Sequence, residues 1–307
     1  VGDHGAVTIT EPARRALRQA IKDRVAGGDL ASQRAKEARI WGADAPRWFG
    51  PDDPIWRVHS DAAMFAGGIA ALIVQALHPL AMAGVAGHSG FKGDPWGRLQ
   101  RTSDFIAYTT FAPITSAQTV IRTVRLVHER VVGVAPDGRS YAASDPALLE
   151  WVHTAETWAF LRAHQVYGPR AALSDRDADT YVAQLGSIDA RLGFGDPPRT
   201  VSDLESRLTA YRSDLEVTEA ARDTIDFLLR DPPMAGPLKV AYGVLAQGAV
   251  ALVPPWVRDA FGLRVRPGAE ARARAATATM RWAIEHPAHE VGQQARFRAS
   301  AVGGWAP

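Results

Sequence analysis

Apolar residues recur along this chain at helical rather than strand spacing. Over Pro12 to Val25, Leu17, Ile21 and Val25 stand four apart with Arg and Lys between them, which predicts an amphipathic surface helix. Trp41, Trp48 and Trp56 then flank or occupy a Pro-rich loop, Ala45 to Pro54, and a long apolar stretch follows from Ala62 to Val85. Ser60 and Asp61 offer it an N-cap, and Pro79, which has no backbone N–H, predicts a kink or stop at His78. The stretch approaches the length of a membrane span, but Gln75, His78 and Pro79 interrupt it, Gly67, Gly68 and Gly84 loosen it, and basic flanks are missing. A buried core helix is expected instead of a span. Gly84 to Pro95, with its glycines and closing proline, reads as a loop.

Beyond Trp96 the pattern predicts helix after helix, over 96–110, 116–132, 145–165, 176–192, 201–211, 217–229, 237–250, 255–262 and 268–286. No alternating run of six residues occurs, and Asn is absent, so the Asn-Gly hairpin signal cannot arise. Val132 to Ser144 is the candidate hairpin, with Asp137-Gly138 at its turn, and Asp145-Pro146 supplies a cap and first position for the next helix. The expected architecture is all-α: a single large helical domain. An N-terminal helical extension (1–58) packs on a core (59–267), and a C-terminal helix and tail (268–307) follow. The break at 230–237 reads as a loop within one fold, because the helices after it are too apolar to stand alone.

Composition narrows the chemistry. The 307 residues are 47% hydrophobic, enough to bury a large core. With 35 basic against 33 acidic residues the net charge is +2, which implies no nucleic-acid partner. The absence of cysteine excludes thiolate-ligated haem, iron–sulfur clusters, cysteine zinc sites and thiol catalysis, so any metal must be held by His, carboxylate or Tyr. Val1 to Arg14 lacks the pattern of a signal peptide, and a cytoplasmic protein without stable membrane insertion is expected.

Three patterns carry candidate chemistry. In Gly97 to Thr102, Arg98 and Thr102 share a helical face with Arg101 on its flank, which suits an anion such as a carboxylate or equally a solvated basic surface. Arg122, Arg125 and His128 are spaced by three beside a stripe of Val120, Val124, Val127 and Val131. His128 there is either an iron-ligating imidazole or an interfacial His paired with Glu129 or solvent. Glu150 and His153 form an E-x-x-H unit of the kind that builds di-iron sites, but such a site needs a second unit and none exists; His286 and His289 are separated by Pro287. Phosphate-binding, dinucleotide, zincin and serine-hydrolase signatures are missing.

The order of short motifs is more specific than any one of them. Leu77-His78-Pro79, Ala86 to Ser89, Asp94 to Thr102, Arg125 to His128, Ser144-Asp145-Pro146 with Leu149 to His153, and Leu252 to Arg258 follow one another over roughly 60–265. In this the chain resembles the bacterial proteins related to the catalytic domain of rubber oxygenase (latex clearing protein) and to the fungal oxygenase MpaB. The resemblance implies an all-helical fold, one b-type haem, and oxidation of an apolar, unsaturated or isoprenoid-like small molecule with dioxygen at the haem face opposite the axial ligand.

By the same resemblance His128 matches the axial iron ligand, Arg98 and Thr102 match residues that secure the haem and its pocket, and Arg125 and His153 complete the expected cofactor-binding set. Arg101 stands where the family has a Lys that can cap the iron. A guanidinium has no lone pair to offer, so an open or water-filled sixth position is expected. The family's proposed catalytic Glu precedes this motif, whereas no Glu occurs between Val58 and Asp94, which leaves His78 and His88 as distal candidates beside Arg101 and Thr102. The alternatives are a non-catalytic haem-binding or sensing protein, and a non-haem iron protein using Glu150 and His153. Oligomeric state is left open.

Overall fold

In the computed structural model, which describes residues 30–42, 45–88, 95–169, 173–232 and 236–284, the helical periodicity of the sequence is realised along the chain. The order is α1 (Leu30–Trp41), α2 (Pro54–His59), α3 (Met64–Gln75), α4 (Pro79–His88), α5 (Pro95–Phe111), α6 (Ile114–His128), β1 (Val132–Val134), β2 (Ser140–Ala142), α7 (Pro146–Tyr167), α8 (Asp175–Leu192), α9 (Val201–Ala210), a 3-10 turn (Tyr211–Asp214), α10 (Glu219–Leu229), α11 (Gly236–Leu252), α12 (Pro255–Phe261) and α13 (Ala269–Ile284). The amphipathic helix expected over Pro12 to Val25 lies outside the described residues, as do 89–94 and the tail beyond 284.

The apolar stretch after Asp61 forms two helices. Asp61 accepts the Ala63 N–H at 2.8 Å just before α3 begins. Pro79 then ends the run: α3 and α4 are bent by 108° to one another, and His78 caps the second through Nδ1, which accepts from the Ala81 N–H at 3.4 Å. Among the described residues no single helix is long and apolar enough to cross a membrane. The expectation of a loop from Gly84 is corrected, because α4 continues through Gly84 and Gly87 to His88. Both glycines lie against Tyr141 of β2: a Cβ at Gly84 would meet its ring in ordinary contact at 3.6 Å, whereas one at Gly87 would crowd its hydroxyl at 3.0 Å.

The core is organised around α7. One side packs on α3 and α11 through Trp151, Ala155, Ala159 and Ala163 against Ala66, Ala70, Ile73 and Val250. Small residues let the two helices approach closely. The other side presents Phe160 and Leu161 to α2, α6 and α8, where Ile55, Ala117, Ile121, Tyr181 and Ile188 form a second cluster. Asp145 caps α7 by accepting the Ala147 N–H at 2.8 Å with Pro146 at the first turn, as the sequence predicts.

β1 and β2 form the expected antiparallel hairpin, Gly133 opposite Tyr141, and the turn needs Gly138 at φ +86°. The sequence pattern predicts a helix over 116–132, but α6 stops at His128, because the hairpin claims the next residues: Ala143 donates to the Val131 carbonyl at 2.8 Å. α1 was not anticipated; its end contributes Trp41, which stacks on Phe111 at 5.6 Å while Trp56 meets the same ring edge-on at 4.8 Å.

Candidate functional site

Two helices fix the first half of the site. α5 and α6 pack together and are joined by Ala112 and Pro113, so they run antiparallel. Arg98 lies 13 residues before the end of α5 and His128 14 residues after the start of α6, which at about 1.5 Å per residue brings them to the same height. The sequence motifs that begin α5 and end α6 therefore meet at one end of this pair.

On α6, His128 follows Val124, Ile121 and Ala117 by four, seven and eleven residues, and Ala117 and Ile121 are buried in the cluster with α8. Its side chain belongs to that inward stripe, whereas Arg122, Arg125, Leu126 and Val127 are exposed. His128 Nδ1 is closed off from solvent and has no hydrogen-bond partner among the described residues. Burial, and then the charge of nearby His153, lower its pKa and keep the ring neutral. No ion pair or hydrogen bond joins His128 to Glu129 among the described residues. His164 Nδ1 is also unpartnered, but it sits toward the other end of α7, in the field of Asp61, Arg57 and Arg281.

The second half of the site comes from α7 and α8. His153 Nδ1 lies 3.0 Å from the Asp189 carboxylate. Burial disfavours the charged ring, but Asp189, through charge and hydrogen bond, and then Glu156 outweigh it and hold the His153 pKa up at about 9. Glu156 lies one turn after His153 on the same face of α7. Desolvation raises its pKa to about 7, with His153 pulling it down and Asp189 pushing it up. Tyr181, on α8, is held un-ionised by burial and by those two acids, and its hydroxyl contacts His59 Nε2 at 3.3 Å. His59 Nδ1 meets the Thr110 hydroxyl at 2.7 Å, and burial and then His164 depress its pKa to about 3.

The other predicted residues are distributed unevenly. Arg98 is half-buried, and burial together with Arg101 lowers its pKa; Arg101, Thr102 and Arg125 are exposed. His78 caps α4 and lies against Trp151 and Tyr211, with ring centroids at 6.0 and 6.2 Å. His88 is exposed at the end of α4, with Nδ1 3.3 Å from the Tyr141 hydroxyl. Glu150 does not share a site with His153, since its carboxylate pairs with Arg207 at 2.7 Å. Among the described residues no group of three His, Cys, Asp or Glu could hold a metal ion, so the non-haem pairing of Glu150 with His153 gains no support. A cleft of about 390 Å³ lies elsewhere, lined by Trp158, Arg162, Glu205 and Arg258 among others, and none of the predicted site residues lines it.

Sequence reasoning missed Glu156, Asp189, Tyr181 and His59. Glu156 carried one usable signal, its three-residue spacing from His153; Asp189 lies 36 positions beyond His153 and meets it only through packing of α7 on α8.

These features define a class: a helical protein whose interior holds a neutral, unpartnered imidazole beside a second histidine fixed by a carboxylate. The chain belongs to the family described as the catalytic domain of ER-bound oxygenase mpaB/B' and rubber oxygenase, whose model matches residues 56–282 and so covers α5 to α8 whole. Neither the comparison with curated proteins nor that with solved structures yields a match.

Proposed function

We propose that this protein is a haem b-dependent oxygenase of an apolar, unsaturated or isoprenoid-like small molecule, with His128 as the axial iron ligand. The observation that carries the reading is the His128 ring: inward-facing, neutral and with a buried nitrogen that nothing in the described chain satisfies. An unpaired buried acceptor costs roughly 1–3 kcal/mol, and an iron atom is a partner that neutral imidazole suits. The residues present fit the group. Phe105, Ile106 and Val124 supply partly buried apolar surface on α5 and α6, and Arg98 at the same end of the hairpin supplies a guanidinium for a propionate.

Haem, when bound, supplies the activation of dioxygen for attack on the substrate. The chain orients and insulates it. His153, held by Asp189, sets the electrostatic surroundings of His128 from behind, in the manner of outer-shell partners that tune a ligand. Arg101 has no lone pair to offer, so it would not ligate the iron as a Lys can. Family membership supports the oxygenase class, and the apolar cluster around α6 supports a hydrophobic substrate.

Oxygen consumption tests the reading. The haem-reconstituted protein, presented with a panel of unsaturated fatty acids and isoprenoids, is expected to take up oxygen in a substrate-dependent way, and His128→Ala is expected to lose that uptake. Haem binding without uptake on any of the panel would instead favour the sensing or carrier alternative.

A further inference from the structure

Six polar side chains meet inside the second apolar cluster: His153 and Glu156 from α7, Asp189 and Tyr181 from α8, His59 from α2 and Thr110 from α5. All but one have a fixed partner. His153 is bonded to Asp189 at 3.0 Å, and Tyr181 to His59 and His59 to Thr110 at 3.3 and 2.7 Å. Glu156 is the exception, for no hydrogen bond or ion pair engages its carboxyl group among the described residues, although it sits within electrostatic reach of His153, Asp189 and Tyr181. Its side chain also keeps part of its accessible surface while lying deep enough for burial to dominate its titration.

We propose that Glu156 is the proton-exchanging group of this interior, placed between the His153–Asp189 pair and the Tyr181–His59–Thr110 chain so that a proton can be given to, or taken from, an oxygen atom bound beside it. The neighbours leave this task to Glu156 alone. Asp189 on α8 is committed to His153, whose imidazolium keeps its proton and acts as counter-ion to the Glu156 carboxylate. Tyr181 on α8 is held un-ionised, and His59 on α2 and His128 on α6 are held neutral. Release breaks only the carboxyl O–H bond and leaves a carboxylate beside a cation; recovery of the proton restores the acid, and no oxidant or reductant takes part. The role in turnover rests on the haem reading above, whereas the titration is a property of the chain without haem.

Infrared difference spectra of the haem-free protein, taken from about pH 5 to 9, test it. One protonated-carboxyl band is expected to titrate with a midpoint of about 7. It should be absent in Glu156→Gln and retained, at a shifted midpoint, in Glu156→Asp, which also guards against loss by misfolding. In the haem-loaded protein the same Gln variant should lose the limb of the pH–turnover profile that wild type shows near neutrality, and the Asp variant should restore it. A wild-type protein with no carboxyl titrating near neutrality, or a band that survives Glu156→Gln, overturns the proposal and leaves the haem reading intact. Titration as expected in a protein that binds no haem would sink the haem reading instead.

Discussion

Whether a histidine in this protein is charged depends on which carboxylates its burial leaves within reach. His153 is buried beside Asp189 and Glu156 and is cationic; His128, desolvated and within the field of His153, is neutral; His59, bonded only to hydroxyls, is neutral over a wide range. The pH dependence of folding follows from the sign of these shifts. A His whose folded pKa is depressed from 6.5 to about 3 adds stability that is fully present above 6.5 and lost as pH falls through 3, because the unfolded chain takes up the proton first. Unfolding by denaturant at pH steps from about 7 to 4 should therefore show a steep acid loss that His59→Gln flattens; a variant with the same slope as wild type contradicts the assignment. His153 and Glu156 act in the opposite direction, since their raised pKa values yield stability that fades as pH rises through about 9 and about 7 respectively.

Between elements, α3 and α7 approach closely at Gly67. A Cβ at Gly67 would lie 3.0 Å from Phe160 Cδ1 and 3.1 Å from Ala163 Cβ, while one at Gly68 meets nothing nearer than 4.0 Å. Gly67→Leu is expected to destabilise the protein by about 1–3 kcal/mol through overpacking. Gly68→Ala is expected to be neutral or stabilising by up to about 1 kcal/mol from helix propensity. Thermal melts of the two variants separate the positions, and equal midpoints contradict the packing. Much of this layer was legible in sequence, because helical spacing, Asp145-Pro146 and the Asp137-Gly138 turn are local signals. What was not legible depended on contacts distant in the chain. Gly84 and Gly87 look like loop formers until Tyr141, more than fifty residues later, is seen to lie against them.

For the whole molecule, the site divides the same way. His128 was visible in sequence as an inward-capable residue and gained its assignment from an ordered resemblance, and the family match over 56–282 bears that resemblance out. The buried acids behind it were invisible, since nothing near Asp189 in sequence announces His153. His78 and His88 were candidates because they precede the Arg98 motif; in the fold His78 caps α4 and His88 lies on the surface beside Tyr141. The central claim is that one imidazole, presented by α6 and backed by α7 and α8, holds the iron of a haem. The absorption spectrum of the haem-reconstituted protein tests it most directly: an intense Soret band that is lost or strongly shifted in His128→Ala is the predicted result. A protein that stays colourless, or a His128→Ala spectrum identical to wild type, contradicts it.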